Sequence, residues 1–362
     1  MEEPGAEELA ELGATKIRQA YRGLYFEADQ STVYRINYNA RLITRVLAPL
    51  TTFKCHNTDY LYRQAKEIQW TDFLSAAQTF AVFAHVAHSK IRHSRYAALR
   101  LKDAIVDYFR DSQGRRPAVN RNHPDVWFNL HIENDRATIS VDTSGGSLHR
   151  RGYRSDAGPA PMQETVAAAI IRMMEWDGSR PLYDPMCGSG TLLSEALMSH
   201  CEIPAGYLRK RFGFESLPDF NPQLWHTVKN RSDQKIRNLT EGFISGSDIS
   251  RHEVDMARKN LRSLPSGGKV RLAVKDFRKI EGLENHIIVC NPPYGIRLGE
   301  EKELENLYKA FGDFLKQRCK NSIAYVYFGN RALIPKIGLK PSWKKELVSG
   351  GLDGRLVKIE LY

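Results

Sequence analysis

Ile287-Ile288-Val289-Cys290-Asn291-Pro292-Pro293-Tyr294 is the stretch on which the reading of this chain turns. Its apolar half is continuous and rich in β-branched residues, which predicts a parallel strand buried on both faces. The two prolines lack N–H groups and fix φ, so the ladder ends there in a rigid turn. Asn291 then stands at the carboxyl end of a central strand, where open α/β sheets hold their ligands. An amide oxygen and a nearby free carbonyl can accept both hydrogens of one NH2 group, and Tyr294 can stack on a planar ring. Taken alone, the same residues also suit an ordinary strand-ending Pro-Pro turn.

Upstream, Leu182-Tyr183-Asp184 predicts a second strand, followed by Pro185-Met186-Cys187-Gly188-Ser189-Gly190-Thr191 and a helix over Leu192–Met198. Gly-Lys-Ser/Thr is missing, so this is no P-loop, and Gly188-Ser189-Gly190 is only part of the dinucleotide fingerprint. Two later strand ends carry acids. Asp248 follows the strand 243–248 and suits a ribose diol; Asp276 follows the strand 270–274 and suits an adenine amine. Each aspartate alone also suits a helix cap. Three acidic strand ends in order, followed by the Asn-Pro-Pro-Tyr turn, favour a nucleoside-bearing cofactor.

From residue 156 onward strand and helix alternate, with helices predicted over 162–176, 254–264 and 303–318 and strands over 322–328, 343–348 and 355–361. This predicts an α/β doubly wound sheet of seven strands with a late hairpin-like pair. A polar, aromatic-rich excursion occupies roughly 201–241.

The first 155 residues read as two smaller units. Residues 1–50 predict a ferredoxin-like α+β unit, with helices over 7–12 and 33–47 around alternating residues at 23–28. Residues 51–155 predict a second α+β domain: helix 60–68, strand 79–84, helix 94–109, strands 126–132 and 137–142. From Arg63 to Arg121 there are eleven Lys or Arg against five Asp or Glu. Lys90, Arg92 and Arg95 cluster where a loop enters the long helix, a place that suits phosphate as well as plain solvation. The run Ser144-Gly145-Gly146-Ser147-Leu148-His149-Arg150-Arg151-Gly152-Tyr153-Arg154 reads as a solvated linker, or as a hinge whose arginines face cofactor and nucleic acid.

Composition narrows the class. The 362 residues carry a formal charge of +11, spread along the chain, which suits a polyanionic partner. The five cysteines are odd in number and lack a CxxC pair, which argues against a disulfide scaffold or zinc site and for a reducing compartment. The histidines show no metal-ligand spacing. No membrane span or signal peptide is visible, and the expectation is a cytoplasmic protein.

Asp184-Pro185-Met186-Cys187-Gly188-Ser189-Gly190-Thr191 and Asn291-Pro292-Pro293-Tyr294-Gly295 resemble motifs I and IV of the S-adenosylmethionine-dependent amino-methyltransferases. With the run 144–154, the basic domain before it and the excursion Tyr207–Glu215, nearly the whole chain resembles the THUMP-domain RNA guanine-N2 methyltransferases, above all the bacterial 23S rRNA enzymes. The resemblance implies a ferredoxin-like unit (1–50), a THUMP RNA-binding domain (51–155) and a class I, Rossmann-like methyltransferase domain (156–362). It implies S-adenosyl-L-methionine held by residues 184–191, Asp248, Asp276 and Asn291, with no metal. It further implies that Asn291 and the Pro292 carbonyl orient a guanine N2 amine, within a turn stiffened by Pro293, while Tyr294 stacks on the flipped base. The implied partner is 23S rRNA, contacted by Lys90, Arg92, Arg95, Arg150, Arg151 and Arg154; no obligate protein partner is evident. Some relatives carry a second methyltransferase domain, which this chain is expected to lack. Competing readings are a tRNA guanine-N2 enzyme, a DNA adenine-N6 or protein glutamine-N5 methyltransferase, and a catalytically dead RNA-docking protein.

Overall fold

The computed structural model describes residues 1–21, 23–154, 162–295, 301–348 and 353–362. The chain begins with α1 (Glu2–Glu11), β1 (Thr15–Ala20), β2 (Gly23–Glu27) and α2 (Gln30–Asn39), with β1 and β2 paired antiparallel. Asp29 starts α2 by accepting from the Thr32 amide at 2.7 Å. The helix expected over 33–47 stops at Asn39. Beyond it the Glu8 carboxylate takes the amides of Arg41 (2.8 Å) and Leu42 (2.9 Å), which a continued helix would have turned back on itself.

The second unit contains β3 (Leu47–Lys54), α3 (Thr58–Lys66), β4 (Thr79–Ala87), α4 (Ser94–Gln113), β5 (Ala118–Val119), β6 (Val126–Glu133) and β7 (Arg136–Asp142). They form one sheet in the order β3-β7-β6-β4-β5. Asn134 and Asp135, both at positive φ, make the tight turn from β6 to β7. Residues Leu101, Ile105 and Phe109 of α4 pack with Trp70, Phe80 and Phe128 against one face of the sheet. Because β3 belongs to this sheet, the boundary expected at 50/51 cuts a strand, and the sheet itself spans Leu47 to Asp142. The other expected boundary, 155/156, lies outside the described residues.

The last unit holds α5 (Glu164–Met173), β8 (Leu182–Asp184), α6 (Thr191–His200), α7 (Pro222–Asp233), β9 (Ile244–Asp248), α8 (Arg251–Arg262), β10 (Arg271–Val274), β11 (Ile287–Cys290), α9 (Glu301–Arg318), β12 (Ser322–Phe328), β13 (Trp343–Glu346) and β14 (Arg355–Leu361). Its seven strands run β10-β9-β8-β11-β12-β14-β13. The first five are parallel and β14 joins antiparallel to both neighbours. This is the class I methyltransferase sheet that the motifs imply. Strand order reverses between β8 and β11, both buried, and the crevice at their carboxyl ends is where such sheets bind ligands.

The aromatic excursion is a clamp between units. Phe212, Phe214 and Trp225 form one buried cluster with Tyr34 and Tyr38 of α2, and Tyr34 stacks on Phe214 with centroids 4.3 Å apart. Val46 and Thr143, at the two crossings into the five-stranded sheet, are themselves bonded, Thr143 N to Val46 O at 3.0 Å.

Candidate active site

Strand pairing brings the two predicted motifs together. Ile287 and Ile288 of β11 pair with Leu182 and Tyr183 of β8, so Asp184 and Asn291 leave adjacent strands at the same end. After Asp184 the chain turns through Pro185, Met186 and Cys187. The Asp184 Oδ1 accepts from the Met186 amide (3.1 Å), and the Cys187 amide donates to Ser247 O of β9 (2.9 Å). Gly188 and Gly190 have φ of +50° and +79°, and a Cβ on Gly190 would lie 3.0 Å from the Cβ of Ala257 in α8. Only glycine fits both that conformation and that approach. Ser189 O is held by the Asn260 side chain at 3.0 Å. Helix α6 starts at Thr191 with no side-chain cap and no acid in its first turn, so its leading amides face the crevice unsealed.

Asp248 closes the cradle from β9. Its Oδ2 accepts from the Gly188 amide (2.9 Å) and its Oδ1 from the Ser250 amide (2.9 Å). Each oxygen keeps a second lone pair for a ligand. Asp276, beyond β10, caps a short turn through the Arg278 amide (2.9 Å) and pairs with the Arg278 guanidinium. Asp184 is almost fully buried, and burial, with the Asp248 charge nearby, pushes its carboxyl well above the ordinary range. Burial also raises the Cys187 and Cys290 thiols, which argues against nucleophilic cysteine chemistry.

Asn291 carries the most informative feature. Its Oδ1 is buried and has no hydrogen-bond partner among the described residues, an acceptor left open in a place where such groups are normally satisfied. Pro292 is buried behind it and Pro293 is exposed. Tyr294 is half-buried; its ring meets Tyr327 edge-on (6.4 Å) and lies on Gly329, where a Cβ would sit 2.5 Å from it. An acceptor, a rigid turn and an aromatic ring are thus collected at one strand end, beside a glycine cradle suited to a nucleoside and amino-acid ligand.

The six arginines and lysines expected at RNA divide. Lys90, Arg92, Arg95 and Arg150 are exposed. Arg151 is not: it is 1% exposed, ion-paired with buried Glu195 (3.4 Å), and donates to Leu148 O (2.7 Å) and to Arg41 O. A guanidinium so placed cannot reach a phosphate, and the RNA-contacting role expected for it is withdrawn. Arg154 is likewise turned inward, bonded to Thr191 Oγ1 (2.9 Å) and paired with Glu164 (3.3 Å); it braces the start of α6 rather than an RNA surface. Sequence reasoning missed Arg41, whose guanidinium binds Met198 O and Ile203 O, and Glu195; nothing in their local sequence marks them.

Residues 151–358 match the family described as RMKL-like, methyltransferase domain, residues 55–142 match the THUMP domain and residues 1–47 the RlmL ferredoxin-like domain. The chain belongs to the RMKL-like methyltransferases. Within this family it is 40% identical over its whole length to a provisionally named RNA methyltransferase (slr0064) of Synechocystis sp., covering 94% of that protein. It is 37% identical, over 98% of its length, to the ribosomal RNA large subunit methyltransferase K/L of Syntrophotalea carbinolica, of which it spans about half (52%). The crystal structure of SMU.472, a provisionally named methyltransferase complexed with SAH, superposes with a TM-score of 0.89 at 27% identity, covering 100% of this chain and 95% of that one. The family and the SAH-bound neighbour give the chain S-adenosylmethionine as its cofactor, and the two curated relatives are named as methyltransferases of RNA and of ribosomal RNA. Among the described residues no cluster could hold a metal ion, and no helix is long and apolar enough to cross a membrane.

Proposed function

We propose that the protein methylates the exocyclic N2 of a guanine in 23S rRNA in the cytoplasm. The observation that carries this reading is the open acceptor of Asn291 at the carboxyl end of β11. Guanine N2 is a poor nucleophile because its lone pair is delocalised into the ring. Asn291 Oδ1 and the Pro292 carbonyl accept its two hydrogens and turn the lone pair out of conjugation, while Tyr294 stacks on the base. Asn291 is neutral and not a strong base, so its contribution is orientation and electrostatic stabilisation. Residues 184–191, with Asp248 and Asp276, hold the cofactor, which when bound supplies an electrophilic methyl group on a sulfonium. The exposed Lys90, Arg92 and Arg95 stand at the start of α4, whose first turn carries no acid and no side-chain cap, an arrangement that favours phosphate.

The test is nucleoside mass spectrometry on 23S rRNA and tRNA from wild-type and deletion cells. Loss of N2-methylguanosine from 23S rRNA is the expected result. Loss from tRNA alone would keep the chemistry and replace the substrate. No change in either RNA, with purified protein still binding S-adenosylmethionine, would redirect the search to DNA or protein acceptors.

A further inference from the structure

Helices α3 and α4 pack on one face of the five-stranded sheet; the other face is partly open, with Ala81, Asn129, Ser140 and Asp142 buried between half-buried rings. That open face carries rings in two rungs. Phe83 meets Trp127 with centroids 6.0 Å apart, and His85 stacks on His131 at 5.5 Å with the rings 12° from parallel. Phe83 and His85 are about 7 Å apart on β4, whereas Trp127 and His131, with Asn129 between them on the same face of β6, are about 13 Å apart. The guanidinium of Arg45 lies 4.2 Å from the Phe83 centroid and 5.8 Å from that of Trp127. Asn129, paired in register with Phe83, lies between Trp127 and His131 on β6 and is buried, 6% exposed. His85 is exposed, and Phe83, Trp127 and His131 are half-buried.

This chemistry is not that of a protein-docking face. Strands β4, β6 and β7 contribute no leucine, isoleucine or methionine to it; they contribute rings, imidazoles, an amide, hydroxyls, two alanines, Arg136 and the carboxylates of Glu133, beside His131, and of Asp142. Cations flank it at both ends. Lys90 and Arg92 follow β4 at one end. At the other end Arg45 pairs with Asp142, and Arg209 joins Ser144 O (2.9 Å) to the backbone of exposed Arg150. Four residues on, Arg154 touches Thr191 at the cofactor cradle.

Resting on the reading of the protein as an RNA methyltransferase, we propose that this open face is a stacking platform for unpaired RNA bases. It directs a single strand from the Lys90 end past Arg45 and Arg150 toward the active site. Base-paired RNA has no free base faces to offer such a platform, whereas splayed bases stack on aromatic rings and guanidinium planes.

The experiment uses the whole chain and two fluorescent RNAs, an unstructured 12-nucleotide strand and a stable hairpin stem, titrated by anisotropy over a range of salt. The variants are the double substitution His85→Ala with His131→Ala, and separately Trp127→Leu. Each is expected to weaken single-strand binding roughly 5- to 100-fold. For Trp127→Leu, which removes no charge, the salt slope should stay that of the wild type, and for each variant stem binding should change by less than about twofold. Wild-type unfolding temperature and cofactor affinity show that each variant is folded. Undiminished single-strand affinity in both folded variants would overturn the platform, as would an equal loss for the stem. If the platform is upheld while deletion cells keep their 23S N2-methylguanosine, the proposed target fails and the binding surface stands.

Discussion

The Asp248 carboxylate accepts a hydrogen bond from the Gly188 amide at 2.9 Å, so the turns leaving β8 and β9 form one piece. Neither turn can shift without moving the other. Replacing Asp248 by alanine leaves the Gly188 amide without its acceptor and removes the group proposed to take the ribose hydroxyls. We expect a stability loss of about 1–3 kcal/mol and a fall of at least tenfold in cofactor affinity. Denaturant titration and calorimetry measure the two separately; unchanged cofactor affinity would remove Asp248 from the binding set.

Asn291→Ala deletes the open acceptor but no cofactor contact argued to be strong. Methyl transfer is expected to fall by about 10²–10³, the usual cost of one preorganised polar group, with cofactor affinity within a few-fold. Near-normal turnover would refute the amine-orienting role.

Burial of Asp184 gives a pH signature. Its folded carboxyl holds a proton more tightly than the unfolded one, which titrates near 3.9. The stability this adds is fully present below about pH 4 and is lost as pH rises through the raised folded value. Asp184→Asn keeps an acceptor for the Met186 amide and abolishes the titration. Urea midpoints of the variant should therefore fall less between pH 5 and pH 8 than those of the wild type. Parallel profiles would show that Asp184 ionises without penalty.

Arg150 and Arg151 are neighbours with opposite fates, and alanine separates them. Arg151→Ala strands the Glu195 carboxylate in the core and should cost about 3–5 kcal/mol. Arg150→Ala should change stability by less than about 0.5 kcal/mol while weakening RNA binding. Thermal unfolding beside an RNA titration reads both; a stable Arg151→Ala protein would contradict the buried pair.

Reversing Lys90 and Arg92 to glutamate should weaken RNA binding and reduce the slope of log affinity against log salt by about 1 for each phosphate no longer neutralised. An unaltered slope would move the phosphate-binding surface elsewhere.

Much of the fold was legible because its signals are local. The run Ile287–Cys290 is continuous and β-branched, the turn after Asp184 needs its glycines, and α4 shows its apolar stripe every third or fourth residue. What was hidden depends on partners far along the chain. Strand β3 is interrupted by Pro49 and a bulge between Pro49 and Thr51, and only its pairing with β7 makes it a strand. Helix α2 ends where Glu8, more than thirty residues earlier, takes the next amides. The arginines 150, 151 and 154 carry the same side chain, and only packing decides which meets solvent and which meets Glu195 or Thr191. The excursion's aromatics looked like an appendage, whereas their rings face Tyr34 and Tyr38.

The two crossings at Val46 and Thr143 lie side by side, so the five-stranded sheet is entered and left through one doorway. A domain mounted that way hangs on two anchored ends instead of a single tether. On the reading proposed above, such a mount would work as a calliper: the RNA feature held by the sheet and the reachable base would be set apart by the mount. Target choice would then follow from distance and not from the letters of the sequence, and lengthening one crossing by a few flexible residues would blur which base is reached without touching either surface.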